Sequence, residues 1–161
     1  MSVGTETQIA VYNALTTPLT AIDCGLYDEV PELPVGMPAD SFPYVEISDV
    51  DLVPYDTDDN TGYEVYVTLN IWSRYRGKKE AHNIFEVCRD ALHKQTLNLS
   101  SWTVFDVLQF GGFTVRRDSD NATMHGVGRF VAKMNEDIAF FLMNEDGSFL
   151  LLEDGGFIML K

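Results

Sequence analysis

Tyr63-Glu64-Val65-Tyr66-Val67-Thr68-Leu69-Asn70-Ile71-Trp72-Ser73-Arg74 decides how the rest of the chain is read. Tyr63, Val65, Val67, Leu69 and Ile71 fall on one side of an extended backbone. Glu64, Tyr66, Thr68, Asn70 and Trp72 fall on the other. Strict alternation over such a length predicts a half-buried strand. A strand with one apolar face needs a second layer to cover it.

The segment that follows offers that layer. From about Lys78 to Lys94, Ala81, Ile84, Phe85, Cys88, Ala91 and Leu92 recur at helical spacing. This apolar stripe predicts a helix packed on the sheet. Glu80 near its start and His93 and Lys94 near its end suit the helix dipole. His82 and His93 fall off the stripe and read as surface residues.

On the N-terminal side, Tyr44-Val45-Glu46-Ile47-Ser48 predicts a second strand. Val50 to Gly62 then turns acidic and reads as an exposed loop. Residues 23–43 are broken by Pro31, Pro34, Pro38 and Pro43, with room for a short strand near Leu26–Tyr27. Before them, Thr5-Glu6-Thr7-Gln8 has the form of a capping box. Ile9, Tyr12 and Leu15 continue at helical spacing, and Pro18 stands past the expected end.

On the C-terminal side, Thr103–Phe110 and Thr123–Met134 predict two further strands, joined across Arg117–Asn121 as a hairpin with a long loop. The last residues repeat a pattern. Apolar runs beginning at Phe141, Phe149 and Phe157 are separated by Asp146-Gly147 and Asp154-Gly155, which predicts a short three-stranded β-meander.

Composition excludes several classes. The 161 residues are one domain's worth, 45% apolar, with 11 basic and 25 acidic residues and a net charge of −14. Such a surface repels nucleic acid at long range. No apolar run reaches the roughly 20 residues of a membrane-spanning helix. Met1–Glu6 has no signal-peptide character, so the expectation is a protein made and kept in the cytoplasm. Cys24 and Cys88, the only cysteines, read there as free thiols. Asp56, Asp58 and Asn60 alternate like calcium ligands. Thr61 and Val67, however, occupy the positions where an EF-hand needs Gly and Glu. Gly126-Val127-Gly128 lacks the third glycine of a nucleotide loop. No catalytic constellation emerges, and no metal or cofactor is expected.

Five blocks then carry a resemblance. Leu26–Pro31, Phe42–Ile47, Val67–Arg74, Gly77–Ala81, and Asp118-Ser119-Asp120 leading to Thr123–Phe130 resemble the successive motifs of phage tail-completion proteins of the DUF3168 type. The resemblance spans roughly residues 5 to 134. It implies an α+β domain. With the elements above, this is a mixed or antiparallel sheet of about four strands with two helices on one side, plus the C-terminal β-meander. The domain is expected at 1–134, with a β-repeat extension at 135–161.

The function implied is structural, not enzymatic. A ring, usually of six copies, would terminate the tail tube and join it to the head-completion or connector protein at the neck of the virion, after assembly in the host bacterial cytoplasm. The implied partners are other copies of the chain, the tail-tube protein and the head-completion protein, with no membrane and no specific nucleic-acid binding, since DNA only passes through the lumen. Alternatives are another head–tail connector, a tail-tube subunit or, more distantly, a small enzyme. Asp49, Asp51, Asp56, Asp58, Asp59 and Glu64 are the candidate lumen-facing acids. Trp72, Arg74, Arg116, Arg117, Phe141, Phe149 and Phe157 are the candidate contacts between subunits or with partners.

Overall fold

The computed structural model describes residues 2–30, 41–56, 61–97, 99, 102–104, 108–136, 140–141 and 159–160. Helix α1 spans Val3–Thr20 and α2 spans Lys79–Leu92. The strands are β1 (Gly25–Tyr27), β2 (Tyr44–Pro54), β3 (Gly62–Ser73), β4 (Trp102–Val104), β5 (Gln109–Arg117), β6 (Met124–Glu136), β7 (Phe140–Phe141) and β8 (Met159–Leu160).

The main sheet has six strands in the order β1-β2-β3-β6-β4, with β5 also pairing β6. β4 lies along the Met134–Glu136 end of β6, and β5 along the Met124–Val131 stretch. β1 runs parallel to β2 and the other pairs are antiparallel, so the sheet is mixed. Both helices cover one face. α1 lies over β1 and β2, α2 over β3, β5 and β6, and the helices touch each other.

The alternation of β3 is realised as expected. Val65, Val67, Leu69 and Ile71 are fully buried beneath the helices. From α2 they meet the predicted stripe, with Ala81, Ile84, Phe85, Cys88 and Leu92 buried and Ala91 half-buried. Phe130, Ala132 and Met134 of β6 extend this core. The Gly126 and Gly128 pair belongs to it too. A Cβ on Gly128 would stand 2.6 Å from Phe85 Cε2, and one on Gly126 would stand 2.9 Å from Phe113 Cε2. The two phenyl rings stack at 4.0 Å over this slot. The glycines make room for aromatic packing, not for a phosphate.

Three elements depart from the sequence reading. Helix α1 starts a turn early because Ser2, not Thr5, is its cap; the Ser2 hydroxyl accepts the Thr5 N–H at 3.3 Å. It also runs through Pro18. The ring falls in the last turn, where Ala21 N–H still reaches Thr17 O at 3.1 Å and fully buried Leu15 and Leu19 hold the turn to the core. Burial of each leucine contributes about 1.5–3 kcal/mol, comparable with the cost of about 3 kcal/mol for an interior proline.

β2 does not end at Ser48 but runs to Pro54, into the first part of the supposed acidic loop. The register slips between Ile47 and Asp49. This bulge resets the alternation, so Val50 and Leu52 take the helix side where Asp49 and Asp51 would otherwise point. That reset hides the strand from a period-two reading.

The strand preceding the hairpin is Gln109–Arg117, not Thr103–Phe110, and its turn is short. Asp118 N–H bonds Thr123 O at 2.9 Å. The Asp120 carboxylate accepts Ala122 N–H at 2.9 Å, Thr123 N–H at 2.8 Å and the Thr123 hydroxyl at 2.5 Å. Asn121 takes the left-handed conformation, φ 56°. A turn so closed forces pairing to begin at Arg117. His93 is likewise more than a surface residue, for its Nδ1 accepts Phe110 N–H at 3.2 Å and ties the end of α2 to β5. Of the C-terminal meander, β7 and β8 pair antiparallel, and the middle unit from Phe149 lies outside the described residues.

Candidate assembly surface

Among the described residues, the second face of the sheet carries no helix. β3 contributes Glu64, Tyr66, Thr68, Asn70 and Trp72 to it. Paired with these across β2 are Tyr44, Glu46, Asp49, Asp51 and Val53. Across β6 stand His125, Val127, Arg129, Val131 and Lys133. Arg116 of β5 lies opposite His125.

One end of this open face is an aromatic row. Tyr44 and Trp72 stack at 6.3 Å, and Trp72 and His125 at 4.0 Å with planes only 4° apart. Phe42 packs on Tyr44 at 5.2 Å, and the Arg74 guanidinium sits 4.3 Å above the Phe42 ring. Asn70 orients His125. Its Nδ2 donates to Glu46 Oε2 at 3.4 Å, which leaves Oδ1 to accept from His125 Nε2 at 3.1 Å. Burial pushes the His125 pKa down, opposed by the nearby Asp118 and Glu46 carboxylates. The ring is held in place by Trp72 and Asn70.

The candidates chosen from sequence separate into groups here. Trp72, Arg74 and Arg116 gather at the aromatic end. Arg117 instead braces the hairpin, donating to Asn121 O at 2.8 Å. Asp49 and Asp51 on β2 and Glu64 on β3 form an acidic stretch of the open face, on strands and not on a loop. Asp56 accepts Gly62 N–H at 3.1 Å. Phe141 is in β7, and Asp58, Asp59, Phe149 and Phe157 lie outside the described residues. Asn70, Glu46 and Tyr44 escaped the sequence reading. Their outward alternation was visible, but only strand register brings Glu46, Asn70 and His125 into one row.

The two lateral ends of the sheet differ in charge. At the β5–β6 end, a depression of about 510 Å³ is lined by Gly112, Thr114, Arg116, His125 and Arg129 among others, with no carboxylate. At the other end, a groove of about 570 Å³ between α1 and β1 is lined by Gln8, Ile9, Tyr12, Leu26, Asp28 and Glu29 among others. Among the described residues, no three His, Cys, Asp or Glu side chains are placed to hold a metal. Cys24 and Cys88 are free and buried, and burial pushes each thiol up to about 12, which leaves them unreactive. No described helix is long and apolar enough to cross a membrane.

Against known families, residues 9–135 match the model of the tail completion protein gp17. The chain belongs to this family. Membership in the tail completion proteins makes it a structural component of a phage-type tail and sets it among virion proteins. The fold agrees. A chain of the structure titled "Virion of native gene transfer agent (GTA) particle" superposes with a TM-score of 0.72 at 21% identity, over 83% of this chain and 98% of that one. No curated protein matches the sequence.

Proposed function

We propose that this tail completion protein closes the finished tail tube as a ring, of about six copies, and joins it at the neck to the head-completion protein. The observation that carries this reading is the family match over residues 9–135, supported by a fold shared with a chain of a phage-like particle. The domain is 1–134, and 135–161 is an added segment for contacts with a neighbouring copy or with the neck. Assembly takes place in the host cytoplasm and needs no cofactor.

In this reading the open face lines the lumen. Asp49, Asp51 and Glu64 stand together on it, and carboxylates repel DNA phosphates in transit. Asp56, Asp58 and Asp59 extend the same acidic set. Trp72 and Arg74 meet the tube or the connector, together with the C-terminal Phe141, Phe149 and Phe157.

Light scattering after size exclusion, followed by negative-stain imaging with purified tails, tests the proposal. The expected result is a ring, formed in solution or at the head-proximal tail tip. Long polymers of the chain alone would favour a tail-tube subunit instead. A monomer that ignores both tails and heads would defeat the reading. Replacing Asp49, Asp51 and Glu64 together by lysine should leave the ring intact but make it retain DNA. A ring with unchanged DNA retention would remove these residues from the lumen.

A further inference from the structure

We infer that the ring closes by seating the β5 end of one copy on the α1–β1 groove of the next, an assignment that rests on the ring reading above. Topology supplies the first argument. β1 is one edge of the sheet, while β5 pairs only β6 among the described residues and forms a second edge past the Phe110 N–H, which His93 takes. An edge strand with free backbone groups is a ready site for a neighbouring chain.

Charge supplies the second. Arg116, Arg117 and Arg129 are exposed at the β5 end, and none of them makes an ion pair among the described residues. Asp28 and Glu29 are exposed on the rim of the groove, with Asp28 held by a hydrogen bond from Gln8. Two β5 ends would set arginine against arginine, and two grooves would set carboxylate against carboxylate. Like charges facing each other disfavour a two-fold pair, whereas head-to-tail pairing satisfies both ends. A head-to-tail contact is the kind that generates a ring when its rotation closes.

Apolar surface supplies the third. Ile9 and Tyr12 are 47% and 39% exposed along the groove, and Phe110 is 41% exposed on β5. Each end thus offers apolar area beside its charges, the composition of an interface with a dry centre and a polar rim. Placed this way, the arginines are neutralised by the next copy and the acidic stretch of the open face stays clear.

The test uses charge reversal on the full chain, read by mass photometry in solution, or by ring occupancy at tail tips if wild type assembles only there. Arg116→Glu with Arg117→Glu should raise the concentration needed for rings at least about tenfold. Asp28→Lys with Glu29→Lys should do the same. An equimolar mixture of the two should form rings again, because every contact then pairs opposite charges. Asp28→Asn with Glu29→Gln gives a milder version, and circular dichroism confirms the fold of each variant. If both reversed variants form rings at the wild-type concentration, this contact is wrong and the ring reading stands. If wild type forms no ring anywhere, both fall together.

Discussion

Strand β3 builds two unlike surfaces from one alternating sequence. On the helix side, Val65, Val67, Leu69 and Ile71 have no exposure and lie in the core beneath α2. On the open side, Asn70 and Trp72 are half-buried and Tyr66 is 38% exposed, held by stacking and hydrogen bonds within the sheet. The first surface is satisfied within the chain. The second carries aromatic residues that no layer of the described residues covers. The difference separates residues that make the fold from residues left available for the assembly proposed above.

Substitutions sharpen this contrast, beginning with the largest effect. Phe130→Ala, in the fully buried core, should cost about 3–5 kcal/mol in urea or thermal unfolding. A loss below 1 kcal/mol would mean that the helix side is loosely packed. Gly128→Ala should cost about 1–3 kcal/mol, because the new methyl meets the Phe85 ring. Phe85→Leu in the same chain should recover part of that loss, and no recovery would argue against the slot.

On the open face, Trp72→Ala should cost only about 1–2 kcal/mol, from lost stacking and partial burial. It should nevertheless reduce attachment to tails or heads more than Phe130→Ala does in molecules that remain folded. The reverse order would erase the contrast. The smallest effect concerns His125. Its folded pKa lies below the ordinary 6.5, so between these values the unfolded chain binds more protons. The contribution of His125 is therefore present above pH 6.5 and is lost as pH falls toward the folded value. Denaturation of wild type and His125→Gln at pH 7.5 and 5.5 should show a shallower pH dependence in the variant. Equal slopes would mean that His125 is as free as in an unfolded chain.

Legibility follows the same division. The stripe of α2 and the alternation of β3 were readable because a buried face imposes its period directly on sequence. β2 beyond Ser48 was not, since a single bulge inverted the alternation and made a strand resemble an acidic loop. β5 was missed for a different reason. It is an edge strand with Gly111, Gly112 and two arginines, so only its pairing with β6 and the closed Asp118–Thr123 turn fix its limits. The Ser2 cap was overlooked because the Thr5–Gln8 box offers an equally good local pattern, and burial of Val3 decides between them.

The sequence by itself determined the α+β class, the apolar faces that must meet, and the resemblance later matched by a family model over residues 9–135. Those features are local, carried by period and by short motifs. Only the tertiary structure decided that Tyr44, Trp72 and His125 form one row, that Glu46 and Asn70 orient the imidazole, and that basic and acidic ends lie on opposite sides of the sheet. Such juxtapositions depend on strand order and register. A one-residue slip would send each of these side chains to the other face, and no local pattern in the chain specifies them.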